Sequence, residues 1–88
     1  MQVEFSLETT VESRQFKFLL EINPFHVVLE TAYLVSVGDR VRAVEIDCST
    51  GQETGNAVVG TVSEIIQSAV LENYPIPLRS YVLALKKA

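Results

Sequence analysis

The thirteen residues FHVVLETAYLVSV, Phe25 to Val37, decide how the chain is read. Phe25, Val27, Leu29, Thr31, Tyr33, Val35 and Val37 share one parity, and His26, Glu30 and Ser36 lie on the other. A period of two over this length is the signature of a strand with one face buried and one face wet. Gly38-Asp39 then supplies a turn, because glycine and aspartate accept the backbone angles that a reversal needs.

Working back from that strand, Asn23-Pro24 interrupts the pattern, since proline has no N–H for a ladder and restricts the residue before it. Residues 14 to 22 set Phe16, Phe18, Leu20 and Ile22 opposite Gln15, Lys17 and Glu21, which predicts another strand. Residues 2 to 8 set Val3, Phe5 and Leu7 opposite Gln2, Glu4, Ser6 and Glu8, with Thr9 to Ser13 as the connection.

Working forward, Arg40 to Cys48 reads as a strand whose apolar parity changes between Val41 and Val44, as a bulge requires. Ser49 to Asn56 is the longest polar stretch and reads as an exposed hairpin loop. Its Thr50-Gly51 and Thr54-Gly55 pairs suit a turn, where glycine takes positive φ freely. Ala57 to Gln67 allows two readings. As a strand it is buried on both faces; as a helix from Val62, the residues Val62, Ile65, Ile66, Ala69 and Val70 match the i, i+3, i+4, i+7, i+8 spacing, with Thr61 and Glu64 as a capping box. The favoured expectation is a strand to about Ile66 and then a short helical turn ending before Asn73. Pro75 and Pro77 keep the next segment extended, and Ser80 to Lys86 is the last strand.

Composition supports this reading. Thirteen valines, five isoleucines and six threonines make 24 of 88 residues β-branched, a population that packs well on pleated surfaces. About six short strands with at most one short helix predict a mainly β, single-domain small barrel over residues 1–88, closed or nearly closed because closure removes exposed sheet edges. No run of about 20 apolar residues offers a membrane span, and no basic-then-apolar leader is evident, so a cytoplasmic protein without a membrane partner is expected. A single Cys48 and a single His26 supply neither a disulfide nor a zinc site, and no cofactor is expected. A core this small would gain stability from dimerisation.

The segment Val37-Gly38-Asp39 followed by Glu45-Ile46-Asp47 and Thr50-Gly51-Gln52-Glu53-Thr54-Gly55 resembles the core hairpin of ASCH-type domains in the PUA-like barrel superfamily. The likeness continues through the valine-rich run from Val58 to Ile66 and the closing strand Tyr81 to Leu85, covering roughly the last fifty residues. It implies a PUA-like barrel and a nucleotide or RNA ligand. The family pattern also places a helix and a G-x-K-x-x-E-x-R motif ahead of the V-G-D turn. Here Glu30 matches the motif glutamate, whereas Val27 and Ala32 stand at the lysine and arginine positions, and no helix is evident before it.

Charge is unevenly placed. Residues 1–39 hold six acids and two bases, and residues 40–88 hold five of each, for a net charge of −4. A nucleic-acid footprint would have to gather Arg40, Arg42, Arg79, Lys86 and Lys87 with Tyr74 and Tyr81. The hairpin adds Asp39, Glu45, Thr50 and Thr54 as candidate ligand-binding residues. Glu45 and Asp47, two apart on one strand, would share a face and form either a cation or acid–base pair or a solvated outer surface. Cys48 shares the parity of Val44 and Ile46 and reads as a small buried hydrophobe rather than a nucleophile. His26 reads as a partly exposed surface residue. No catalytic residue and no metal site are therefore assigned, and the expected function is non-enzymatic binding. Two partners stand open. One is RNA or a nucleotide. The other is a protein, either a second copy or a different chain, met by the extended apolar segment Tyr74, Ile76 and Leu78.

Overall fold

The computed structural model describes residues 7–71, 75 and 77–87. Five strands and one helix follow in the order β1 (Leu7–Glu12), α1 (Ser13–Glu21), β2 (Phe25–Thr31), β3 (Arg40–Ile46), β4 (Glu53–Leu71) and β5 (Leu78–Lys87). The strands form one sheet in the order β1-β3-β4-β5-β2, curled into a half-barrel. Only β1 and β3 run parallel; the other neighbours are antiparallel. The sheet's two edges, β1 and β2, approach each other without forming a ladder, and the Thr9 hydroxyl donates to the Val28 carbonyl across the gap at 2.7 Å.

The mainly β architecture with one short helix agrees with the periodicity. In β2, Phe25, Val27 and Leu29 are buried while His26, Val28 and Glu30 are exposed. Their inward side chains meet Leu83 and Leu85 of β5, Val41 and Ala43 of β3 and Val62 of β4 in a single apolar cluster. Phe25, Val41, Leu83 and Leu85 are fully buried.

The helix is the main departure. Residues 14–22, expected as a strand, form α1 and its exit, and β1 runs through Thr9–Glu12, which had read as a connection. Of the preceding expected strand, only Leu7 and Glu8 fall among the described residues. SRQFKFLLE contains no β-branched side chain, and Arg14, Gln15, Lys17, Leu19, Leu20 and Glu21 are all good helix formers. As a helix the segment buries Phe16 and Leu19, one turn apart, where a strand would have buried alternate residues. Ile22 is extended and ends the helix, two residues before Pro24.

The strand expected to reach Val37 stops at Thr31. The chain must then cross from β2, at one edge, over β5 and β4 to reach β3. Two anchors mark the crossing. The Tyr81 hydroxyl accepts from the Val35 N–H at 3.3 Å and donates to the Tyr33 carbonyl at 3.4 Å. Further on, Val62 N–H donates to the Asp39 carbonyl and Gly38 N–H donates to the Val62 carbonyl, both at 2.8 Å. Val35 is buried, while Tyr33 and Val37 are exposed rather than inward.

The helical turn expected after Ile66 is also overturned: β4 continues as strand to Leu71. Register shifts between Val62 and Glu64 and between Ile65 and Gln67 each insert an extra residue. Val62, Ile65 and Ser68 consequently face Leu85, Leu83 and Tyr81 in turn, a spacing of three that imitates helical periodicity in a strand. Burial on both faces does not extend along the whole run, because Ile66 is exposed. In β3, Val41, Ala43 and Val44 are all buried, so the inward parity changes between Val41 and Val44 as expected, and the register with β4 shifts just beyond, between Val44 and Ile46.

Gly60 occupies the tightest point of the curl. An added Cβ there would lie 2.7 Å from Leu85 Cβ and 3.1 Å from Phe25 Cζ, both fully buried neighbours. Gly60→Ala is expected to destabilise the fold by about 2 kcal/mol through overpacking. Urea unfolding monitored by tyrosine fluorescence and far-UV circular dichroism measures it.

Candidate functional site

Two clefts flank α1. The first, about 410 Å³, lies over the seam between β1 and β2 and is walled by Val11, Phe18, Leu19, Val27, Val28 and Val82, with Thr10, Gln15 and His26 as polar members. The second, about 420 Å³, lies between the other flank of α1 and the β3–β4 hairpin. Phe16, Lys17 and Leu20 face Glu45, Gly55, Asn56 and Ala57 across it. α1 leaves Phe18, on the first cleft, and Leu20, on the second, at 59 and 56% exposure, and Ile22 just past its end is 48% exposed.

Glu45 is the built polar feature of the second cleft. Its Oε1 accepts from the Thr54 hydroxyl and from Asn56 Nδ2, the latter at 3.0 Å. These bonds, Thr54 foremost, then Asn56, with a smaller one from Ser13, hold its carboxyl below the ordinary glutamate range; partial desolvation and nearby Asp47 act weakly in the opposite direction. The sequence placed Glu45 and Thr54 together on the hairpin. Asn56 and the helical wall were missed, the wall because its residues had been read as a strand.

Asp47 does not share a strand face with Glu45. β3 ends at Ile46, and Asp47 opens the turn, where its Oδ1 accepts from both the Ser49 N–H at 2.8 Å and the Ser49 hydroxyl at 2.7 Å. The Ser49 bonds lower its pKa. Gly51 N–H returns to the Asp47 carbonyl at 2.6 Å, and Thr50 Oγ1 accepts from Gln52 N–H at 3.2 Å, so Thr50 closes the turn on itself. Gly51 and Gly55 both have positive φ, as the turn chemistry required. The loop is shorter than the polar stretch, because β4 begins at Glu53. Cys48 is exposed, contrary to its expected burial, since it lies in this turn beyond the strand. His26 is exposed, in line with its reading as a surface residue.

The remaining candidates are dispersed. Asp39 Oδ2 accepts from the Ser36 N–H at 2.8 Å within the turn before β3, at the opposite end of that strand from Glu45 and about 20 Å from it by strand rise. Arg42 pairs with Glu8 at 3.7 Å, both about half exposed, a contact worth little in water. Arg40 and Lys86 lie on one transverse row through Thr61, about 10 Å apart by strand spacing. Arg79 opens β5 opposite Thr31 and Val70, seven residues from Lys86. Lys87 Nζ sits 5.9 Å from the Phe25 ring centroid. Of the extended segment Tyr74, Ile76 and Leu78, the first two lie outside the described residues, and Leu78 is half-buried opposite Leu71. Among the described residues, no three His, Cys, Asp or Glu side chains gather as a metal ion would need. No helix among them is long and apolar enough to cross a membrane.

No protein-family model matches the chain, and no curated protein or solved structure matches it.

The ionisation of Glu45 is directly measurable. Because its folded pKa lies below the unfolded one, Glu45 contributes stability above the ordinary glutamate range, and that contribution is lost as pH falls through the folded value. Side-chain carboxyl NMR should show Glu45 titrating below a free glutamate. Thr54→Val combined with Asn56→Ala should return the titration toward the ordinary range and shrink this part of the acid-side loss of stability.

Proposed function

We propose that this domain is a non-enzymatic protein-interaction module whose contact surface is α1 together with its two flanking clefts. The observation that carries the reading is that α1, whose Phe16 and Leu19 already serve the core, leaves Phe18 and Leu20 exposed, one on each flanking cleft, with Ile22 exposed just past its end. Exposed apolar side chains grouped on one element and rimmed by polar ones mark a contact surface. Apolar walls with a few fixed polar groups also suit recognition of a partner's side chains. An ionised Glu45 in the second cleft favours a segment that brings a basic side chain along with its apolar ones.

One observation sets the carboxyls apart from a general acid, and another weighs against the competing ligand. The hydrogen bonds from Thr54 and Asn56 to Glu45, and from Ser49 to Asp47, keep both carboxyls ionised, whereas a general acid needs a pKa raised toward neutrality. The likeness of the 37–55 segment to ASCH-type domains makes RNA or a nucleotide the competing ligand. Against that reading stands the spread of the cations, with Arg79 and Lys86 near opposite ends of β5 and Arg42 beside Glu8.

Selection of a displayed library of random peptides against the folded chain tests the proposal. Enrichment of peptides carrying apolar residues and a lysine or arginine is expected. Phe18→Asp should abolish their binding, and Glu45→Gln should weaken it about tenfold, the loss expected for one charge-assisted contact. A selection with no enrichment, or one insensitive to Phe18→Asp, would overturn it. Affinity for single-stranded RNA that falls steeply with salt would install the RNA reading in its place.

A further inference from the structure

We infer that the open edge of β4 pairs antiparallel with the same edge of a second copy, joining two half-barrels into one continuous sheet about a two-fold axis. The inference rests on the protein-interaction reading and names one partner.

β4 is far longer than the strand beside it. β3 accompanies it only as far as Thr61, and the loop before β3 takes up the backbone N–H and carbonyl of Val62. From there to Leu71, β5 pairs with β4 along one side, and among the described residues no strand lies along the other. Such an edge presents unpaired N–H and C=O groups that template another strand.

Natural edges are usually guarded by charge, proline, brevity or bulges. The two register shifts guard the part of this edge up to Gln67. Beyond them, Gln67-Ser68-Ala69-Val70-Leu71 is a regular run with no ionisable side chain and no proline. Ser68, Ala69 and Val70 are exposed, and Leu71 is partly so.

A second copy is the occupant that this run fits. Centred on Ala69, antiparallel pairing sets Ala69 against Ala69 of the second copy, Ser68 against its Val70 and Gln67 against its Leu71. Each pair has matching parity, so the inward face of one sheet continues into the inward face of the other. Charge points the same way. Each copy carries −4, so two copies repel wherever their acids meet, and this neutral run is where they approach at least electrostatic cost. A contact built on so short a run falls below the roughly 800 Å² per partner of a standard interface, so association should depend on concentration in roughly the micromolar range.

Size-exclusion chromatography with light scattering on the full chain, from micromolar to millimolar concentration, is the test. The mass should rise from 9.8 kDa toward twice that value. Ala69→Lys sets two cations against each other on the axis and should hold the chain monomeric, and Ala69→Glu should do the same with two anions. Mixing the two variants should restore the dimer through opposite charges. Since Ala69 is exposed, each variant should keep the wild-type circular dichroism spectrum. A wild-type chain that stays monomeric at millimolar concentration would overturn the inference while leaving peptide capture at α1 standing. A dimer untouched by Ala69→Lys but broken by Phe18→Asp would also overturn it and move self-association to α1.

Discussion

The sheet does not close on itself, and the rest of the molecule follows from how its open side is stopped. β1 and β2 are the two edges, they share no ladder, and the Thr9 hydroxyl is the hydrogen bond that bridges them. An apolar interior left open along that seam would be wetted. Phe16 and Leu19 of α1 turn inward and join the same cluster as Phe25, Leu83 and Leu85, so the helix acts as the missing wall. At about 25 cal/mol per Å² of buried apolar surface, two side chains of this size contribute several kcal/mol before entropy is counted, a large share of the stability of so small a domain.

A nine-residue helix used as a wall has two flanks, and these border the two clefts. With Phe16 and Leu19 turned inward, Phe18 lies two positions from Phe16 and points away from the core toward the first cleft, while Leu20, next to Leu19, lies on the second. The second cleft adds a carboxylate fixed in place by the hairpin opposite. The segment that completes the core thus also borders both clefts, while Arg79 and Lys86 stand near opposite ends of β5.

Strand content and the inward residues of β2 and β5 were legible in the sequence, because each of these strands keeps an unbroken period of two. The two misread segments fail for opposite reasons. In Ser13–Glu21, an accidental alternation of Phe16, Phe18, Leu20 and Ile22 masked a helix, although the absence of β-branched residues there was a signal available in the composition. In β4, two register shifts set Val62, Ile65 and Ser68, three apart, opposite the buried Leu85, Leu83 and Tyr81, and a strand took on a helical rhythm. Of the residues that suggested a helix, Ile66, Ala69 and Val70 are exposed on the strand, so their spacing did not report a buried face. Glu45 and Thr54 were each legible as hairpin candidates, but the sequence paired Glu45 with Asp47, because it carried the strand past Ile46 where the turn begins. Asn56 and the wall of Phe16, Lys17 and Leu20 were not legible, since the second of these depends on recognising the helix.

Native-state amide hydrogen exchange resolved by residue tests most directly whether α1 is an integral wall of this interior. If it is, the hydrogen-bonded amides of Leu19 and Leu20 in α1 exchange only through the same opening as those of Leu83 and Leu85 in β5, with matching free energies and the same dependence on added denaturant. Exchange of the helix amides orders of magnitude faster than those of β5, with no dependence on denaturant, would contradict the account, because neither cleft could then persist as a surface.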